Sequence, residues 1–310
     1  MGLKVNNLVK KYGDKTVVNG LSFEMNDSGV YALLGTNGAG KTTSMRMILG
    51  ILSNDGGSVT WNGEADGLRK TNIGYLPEER GLYPKSSIYD QVMYFASLKG
   101  IPASIAKELI RDWSERLELV EYMYPKNAKG KSVGAKLADQ LSKGNQQKVQ
   151  LMSTLISNPE FLILDEPLSG LDPLNTELFK NIIKEEISKG KHIIMSSHQM
   201  ATVEEFCTDI TILNKGNTAV QGNLNAIKKA YGRVNLSLKT EEDIDVLLRA
   251  YDLTILNRSA SDYSIKLHNP EDGKRLLYDL MSYGINVVKY ELREPSLHEI
   301  FVEKVGHDNE

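Results

Sequence analysis

At 310 residues the chain is long enough for one large domain and a smaller one, and a hydrophobic share of 41% excludes wholesale disorder. A net charge of −3 carries no basic excess and speaks against a nucleic-acid partner. The single cysteine, Cys207, excludes an internal disulfide framework and suits a reducing compartment.

The first residues, MGLKVNNLVKKYGD, lack the apolar core of a signal peptide, and no uncharged apolar run is long enough to span a bilayer. The expectation is a soluble protein, or a peripheral one held at a membrane by a partner. Leu21, Phe23 and Met25 alternate in LSFEM and predict a half-buried strand. VYALLG, up to Gly35, is continuously apolar, as a buried strand is. Met45, Ile48, Leu49 and Leu52 recur at helical spacing. NDGGSVTWNGE is rich in turn residues and reads as a hairpin region. From residue 86 to about 125 the pattern is helical, with Ile88, Val92, Phe95, Ile110, Trp113 and Leu117 on the apolar positions. FLILD and HIIMSS predict strands of the kind found in parallel sheets, and a helix between them stops at Gly190.

The composition shifts near KKAYGR, which places a boundary near residue 230, with one domain over 1–228 and another over 232–306. The second reads strand, helix, strand, strand, helix, strand, the β-α-β-β-α-β order of a small α+β ferredoxin-like unit. A last helix begins at PSLHE, where Ser296 and Glu299 form a capping box ahead of Leu297, Ile300, Phe301 and Val305.

Three stretches carry chemistry. GTNGAGKTT fits the phosphate-loop pattern, with Gly35, Gly40, Lys41 and Thr42 at the defining positions. Its glycines let backbone N–H groups wrap phosphates, Lys41 supplies a point charge, and the Thr42 hydroxyl suits Mg²⁺. FLILDEP ends a buried strand with Asp165 and Glu166 at the edge where α/β proteins bind ligands. Asp165 suits a water ligand of Mg²⁺; Glu166 suits a group that orients or deprotonates an attacking water. His198, one strand further at the same edge, joins them as a catalytic candidate. LSKGNQQK is a second anion site, because Ser142 and Gly144 stand where a helix with unpaired N–H groups begins.

Over residues 1 to about 225 the chain resembles the nucleotide-binding subunits of ATP-binding-cassette (ABC) proteins. GTNGAGKTT is similar to their Walker A motif, FLILDEP to Walker B, LSKGNQQK to the signature, Ser169–Asp172 to the D-loop and SSH to the H-loop. The resemblance implies an α/β fold of the P-loop NTPase type, a mixed β core with a helical subdomain. It implies ATP and Mg²⁺ as cofactors and ATP hydrolysis coupled to transport. The expected ATP-binding residues are Tyr12, by stacking on adenine, the loop Gly35, Thr36, Asn37, Gly38, Ala39, Gly40, Lys41, Thr42 and Thr43, and Ser142 with Gly144. In this family two cassettes pair head to tail, so Ser142 and Gly144 would face the γ-phosphate held by a second copy. The expected metal residues are Thr42, Asp165 and Glu78.

Two positions depart from the family pattern. Lys143 fills the place of the first signature glycine and Asn145 that of the usual glutamine; a competent signature with an altered rate is expected. In YLPEERGLYP, Glu78 stands where the family has a glutamine that touches Mg²⁺ and couples to the membrane partner. The end, EPSLHEIFVEKVG, is similar to the tail of sodium-efflux and bacitracin-resistance exporter cassettes. The reading is therefore an exporter ATPase on the cytoplasmic face of the membrane, paired with itself and docked on a separate multi-span permease. Residues 86 to about 124 and the loop PEERGLYP would contact that permease. The alternative is a soluble cassette protein acting on ribosomes or DNA. Such proteins usually carry two cassettes or long coiled coils, and neither pattern occurs here.

Overall fold

The computed structural model describes residues 2–65, 67–79, 81–259 and 262–306. The chain divides into two units, Met1–Gln199 with Phe206–Gln221, and Met200–Glu205 with Gly222–Glu310. The first unit runs β1 (Leu3–Tyr12), β2 (Lys15–Met25), β3 (Gly29–Gly35), α1 (Lys41–Ile48), β4 (Gly56–Trp61), β5 (Ile73–Leu76), α2 (Ile88–Leu98), α3 (Ala103–Arg116), α4 (Val120–Met123), α5 (Lys143–Leu155), β6 (Phe161–Leu164), α6 (Pro173–Ser188) and β7 (His192–Ser197). After the short α7 (Met200–Val203) come β8 (Asp209–Asn214) and β9 (Asn217–Asn223).

β3 is buried at all seven positions, and β6 at all four, because each is covered on both faces. They lie in a six-stranded sheet of order β5-β6-β7-β3-β8-β9, parallel from β5 through β8. β1 pairs antiparallel with β2 and β4 in a separate sheet. The two sheets share a core that includes Leu8, Phe23, Tyr31, Met45, Trp61 and Phe161. Burying each such side chain contributes about 1.5–3 kcal/mol.

Two expectations are corrected here. NDGGSVTWNGE makes a tight antiparallel turn only at its end, where Trp61 and Glu64 pair across Asn62 and Gly63; its Gly56–Trp61 portion is β4, which pairs with β1 some fifty residues upstream. α1 ends at Ile48 and Gly50 takes φ 69°, so Leu52 lies beyond the helix although it still packs on the same core. The helical stretch after residue 86 is three helices, α2 to α4. The ends are set by capping. Ser142 accepts from Asn145 N at the start of α5, and Asp172 accepts from Asn175 N ahead of Pro173 at the start of α6.

The second unit contains α7, α8 (Leu224–Tyr231), β10 (Asn235–Thr240), α9 (Asp245–Ala250), β11 (Thr254–Ser259), β12 (Asp262–Lys266), α10 (Pro270–Ser282), β13 (Val287–Arg293) and α11 (Leu297–Val305). Its sheet has the order β11-β12-β10-β13 with every neighbour antiparallel, the ferredoxin-like arrangement. Leu236, Leu238, Tyr263 and Ile265 point to one face and pack with Leu248 of α9 and Leu276 and Leu280 of α10. Met200–Glu205 is tied into this unit, since Leu297 N donates to Glu204 Oε2 at 3.0 Å.

Candidate nucleotide site

The loop after β3 can be built only from glycine at its two ends. A Cβ on Gly35 would lie 2.5 Å from Leu213 O, and one on Gly40 would lie 2.7 Å from Val17 O. Both residues also hold positive φ, 152° and 104°. Between them Ala39 N donates to Thr36 O at 3.2 Å, and Gly216 N donates to Ala39 O at 3.2 Å, which holds the loop from outside. Thr36, Asn37 and Gly38 stand exposed at its crest, and Thr42 and Thr43 are half-buried in the first turn of α1. The Lys41 ammonium donates to Gly35 O at 2.9 Å and Thr36 O at 3.2 Å and lies 3.4 Å from Glu166 Oε1.

The acidic pair follows β6. Asp165 is only 1% exposed and Glu166 5%. Asp165 N donates to Leu76 O at 2.8 Å, which fixes the carboxylate beside the end of β5. Ser196 at the end of β7 bridges the pair: its hydroxyl donates to Asp165 Oδ1 at 2.5 Å and accepts from Glu166 N at 2.8 Å. Glu166 Oε2 lies 2.8 Å from His198 Nδ1 and accepts from His198 N at 3.4 Å. Glu166 has φ 49°, a left-handed backbone that costs a non-glycine residue about 1–3 kcal/mol and gathers at functional sites. His198 is 48% exposed at the mouth.

In this cluster Asp165 Oδ2 is buried with no hydrogen-bond partner, and Glu166 Oε1 makes no hydrogen bond but has the Lys41 ammonium 3.4 Å away. A buried polar atom without a partner is costly, and Asp165 Oδ2 is such an atom at the end of β6. An unpartnered carboxylate oxygen is the kind of hard donor that Mg²⁺ takes directly or through water, so Asp165 is chemically suited to that ion.

The second anion candidate is held against the same acidic segment. Gln147 on α5 donates to Pro167 O at 2.7 Å, one residue beyond Glu166. Gln150 donates to Glu79 O at 3.1 Å, and so binds the loop that carries Glu78. Ser142 and Lys143 are exposed at the start of α5, and no acidic residue occupies its first turn. Gly144 is close to α6: a Cβ there would meet Asn175 Nδ2 at 3.1 Å. Glu78 is exposed, and Arg80 of the same loop lies outside the described residues. Tyr12 closes β1 at the hairpin tip, 53% exposed, with Lys10 Nζ 5.5 Å from its ring centroid.

Comparison with known proteins gives the family. The chain is 41% identical over 305 residues to the uncharacterized ABC transporter ATP-binding protein YhaQ of Bacillus subtilis (strain 168), with 98% of each chain covered. The chain belongs to the ABC transporter ATP-binding family. The ABC transporter family model matches residues 18–169, and that of the ATP-binding protein DrrA1-3-like C-terminal domain matches residues 222–305. Nod factor export ATP-binding protein I of Burkholderia orbicola (strain AU 1054) is 32% identical over 225 residues, 71% of this chain and 70% of that protein. A solved structure of an ATP-binding subunit of an ABC transporter superposes with a TM-score of 0.65 at 26% identity, covering 75% of this chain and 94% of that one.

As an ABC ATPase the chain binds and hydrolyses nucleotide. The cassette brings the Walker A loop together with Asp165, Glu166 and His198. It places Tyr12 on the hairpin whose Val17 carbonyl backs Gly40, and Ser142 and Gly144 at the start of α5. Sequence reasoning did not single out Ser196, Gln147 or Gln150. The only available signal was their place inside motifs already recognised, SSH and the signature helix.

Proposed function

We propose that this chain is the ATP-hydrolysing subunit of an ABC exporter and works as a head-to-tail homodimer docked on a separate multi-span permease. One observation carries the reading: Lys41, Glu166 and His198 form a continuous chain of contacts, 3.4 Å and 2.8 Å, at the foot of a glycine loop. In this reading the loop from Gly35 to Thr43 holds the ATP phosphates and Tyr12 stacks on the adenine. Lys41 leaves the carbonyls of Gly35 and Thr36 to meet the outer phosphates. Glu166 orients the attacking water and accepts its proton, and His198 holds the Glu166 carboxylate in place and faces the γ-phosphate. Thr42 and Asp165, with Glu78 through water, would hold Mg²⁺, which neutralises phosphate charge when bound.

Ser142 and Gly144 present the α5 N-terminus to the γ-phosphate bound by the second copy, and the exposed Lys143 adds a positive charge there. The apolar residues exposed on the α2–α4 segment, including Tyr94, Leu98, Ile105 and Val120, support docking on a permease at the cytoplasmic face of the membrane. Among the described residues no helix is long and apolar enough to cross a membrane. The export direction rests on the likeness to the Nod factor export protein. The first unit is the cassette in this reading, and the second unit, α8 included, is an accessory domain whose sheet has ferredoxin-like form.

The test uses two variants. Glu166→Gln with ATP should run as a dimer on a sizing column, because the closed state forms and is not discharged by hydrolysis. Glu166→Gln combined with Ser142→Arg should bind ATP through its own loop and remain monomeric. A double variant that dimerises as readily as Glu166→Gln alone would refute the composite site.

A further inference from the structure

The accessory unit has a feature that ATP hydrolysis does not use. In a ferredoxin-like sheet the helices cover one face and leave the other open. Here Leu236, Leu238, Tyr263 and Ile265 face the α9 and α10 side. Their neighbours in register, Asn235, Ser264, Lys266 and Arg293, point the opposite way. One nine-residue helix, α11, lies over that open face, fastened at two places. Lys266 Nζ reaches Glu303 at 2.8 Å, and Arg293 makes a two-armed contact with Glu299 at 2.7 and 2.8 Å. α11 buries Leu297, Ile300 and Val305 elsewhere, so the side it turns to the sheet carries Glu299, Val302 and Glu303.

One short helix does not fill the space over a four-stranded sheet. A cavity of about 830 Å³ remains between α11, the open face and the end of α8. That lies within the ~300–1,000 Å³ typical of small-molecule sites. A register shift between Ile255 and Asn257 brings both Leu256 and Asn257 into its wall, as a bulge does when two successive residues turn the same way. Tyr231, Val234, Leu256, Pro295 and Val302 supply apolar wall. The charges on the wall cancel in pairs, Lys266 with Glu303 and Arg293 with Glu299. The Tyr231 hydroxyl is buried in this wall region with no hydrogen-bond partner. A dry phenol next to an apolar cavity is an unmet polar group, which a ligand meets when the side chain turns its hydroxyl into the cavity.

We propose that this cavity is a second ligand site, separate from the nucleotide site, for an uncharged amphipathic small molecule. Its apolar body fills the space between Val302 and Leu256, and one polar group pairs with the Tyr231 hydroxyl. A charged ligand is disfavoured because it must break one of the two ion pairs that fasten α11. Occupancy joins α11 to the sheet and stabilises the accessory unit.

The test is a fluorescence titration of the full chain with N-phenyl-1-naphthylamine, an uncharged amphipathic probe. Its sulfonated relative, 8-anilino-1-naphthalenesulfonate, carries the same rings and a fixed negative charge. The uncharged probe should bind saturably, one per chain, and at least tenfold tighter than the sulfonate. Tyr231→Phe should weaken it about fivefold, the typical effect of one lost hydrogen bond. Val302→Trp should abolish it by filling the cavity, whereas Val246→Trp, at a position 85% exposed and away from the cavity, should leave it unchanged. Binding that survives both Tyr231→Phe and Val302→Trp, or that Val246→Trp lowers equally, overturns the site. Equal or tighter binding of the sulfonate overturns the ligand class. If Val302→Trp misfolds, Tyr231→Phe, which removes one oxygen from a half-buried side chain, decides the matter alone.

Discussion

Ser196→Ala removes a single oxygen from the centre of the cassette. The residue is 0% exposed, and its hydroxyl is held by Asp165 Oδ1 and by Glu166 N. Deleting it leaves a buried carboxylate oxygen without its donor and a buried N–H without its acceptor. Each such group costs about 1–3 kcal/mol. Asp165 Oδ2 already has no donor, so nothing nearby takes up the loss. We expect a net destabilisation of about 3 kcal/mol. For a unit of this size that corresponds to a fall in Tm of about 6–12 °C. Function should change through geometry. Glu166 holds φ 49° with Ser196 as the acceptor for its N–H, and without it the carboxylate loses its register against Lys41 and His198. The rate of ATP hydrolysis should fall at least tenfold while KM for ATP changes by less than about threefold, since the phosphate loop is untouched. Calorimetric melting and phosphate-release kinetics on the same preparations provide both numbers. A variant that melts within about 2 °C of the parent and hydrolyses ATP at the parental rate would show that Ser196 is a filler and not a brace.

Glu166→Gln should lower the hydrolysis rate about 10²–10⁴-fold, as loss of a positioned base does. It should also raise ATP affinity severalfold, because Lys41 no longer has a carboxylate 3.4 Å away to leave; weaker ATP binding by calorimetry would contradict this. Lys41→Ala should weaken ATP binding at least tenfold, and an unchanged affinity would sink the phosphate-loop assignment. In the accessory unit, burial alone would raise the Glu299 carboxyl, but the Arg293 guanidinium and the Ser296 N–H and hydroxyl outweigh it and hold the pKa at about 2, from an ordinary 4.5. A depressed carboxyl contributes stability above its unfolded pKa and loses it as pH falls toward the folded one. The thermal midpoint of this unit should therefore drop between about pH 5 and pH 2, and Glu299→Gln should flatten that dependence.

The parts legible from sequence are those whose signal is local. β3, β6 and β7 are short apolar runs, and the phosphate loop, the acidic pair and the signature serine are fixed by neighbours within a few residues. β1 escaped because LKVNNLVKKY does not alternate. Its register shifts after Val5 and after Leu8, and Asn7 takes φ 48°, so the buried positions fall out of step. β4 was legible only as turn residues, since its identity as a strand comes from β1, distant in sequence. Ser196, Gln147 and Gln150 act across the fold, on Asp165, Pro167 and Glu79, and no spacing along the chain encodes those meetings.

The six residues Met200–Glu205 belong to the accessory unit, although the cassette resumes at Phe206 and continues to Gln221. Glu204 receives the Leu297 N–H and an ion pair from Lys228, both from the second unit. The segment begins two residues after His198. The boundary between the units is therefore a splice and not a cut. Ending the chain near Tyr231 strips Glu204 of its α11 partner, within six residues of the H-loop. A graft of this tail onto another cassette must carry 200–205 with it, or rebuild that patch in the recipient.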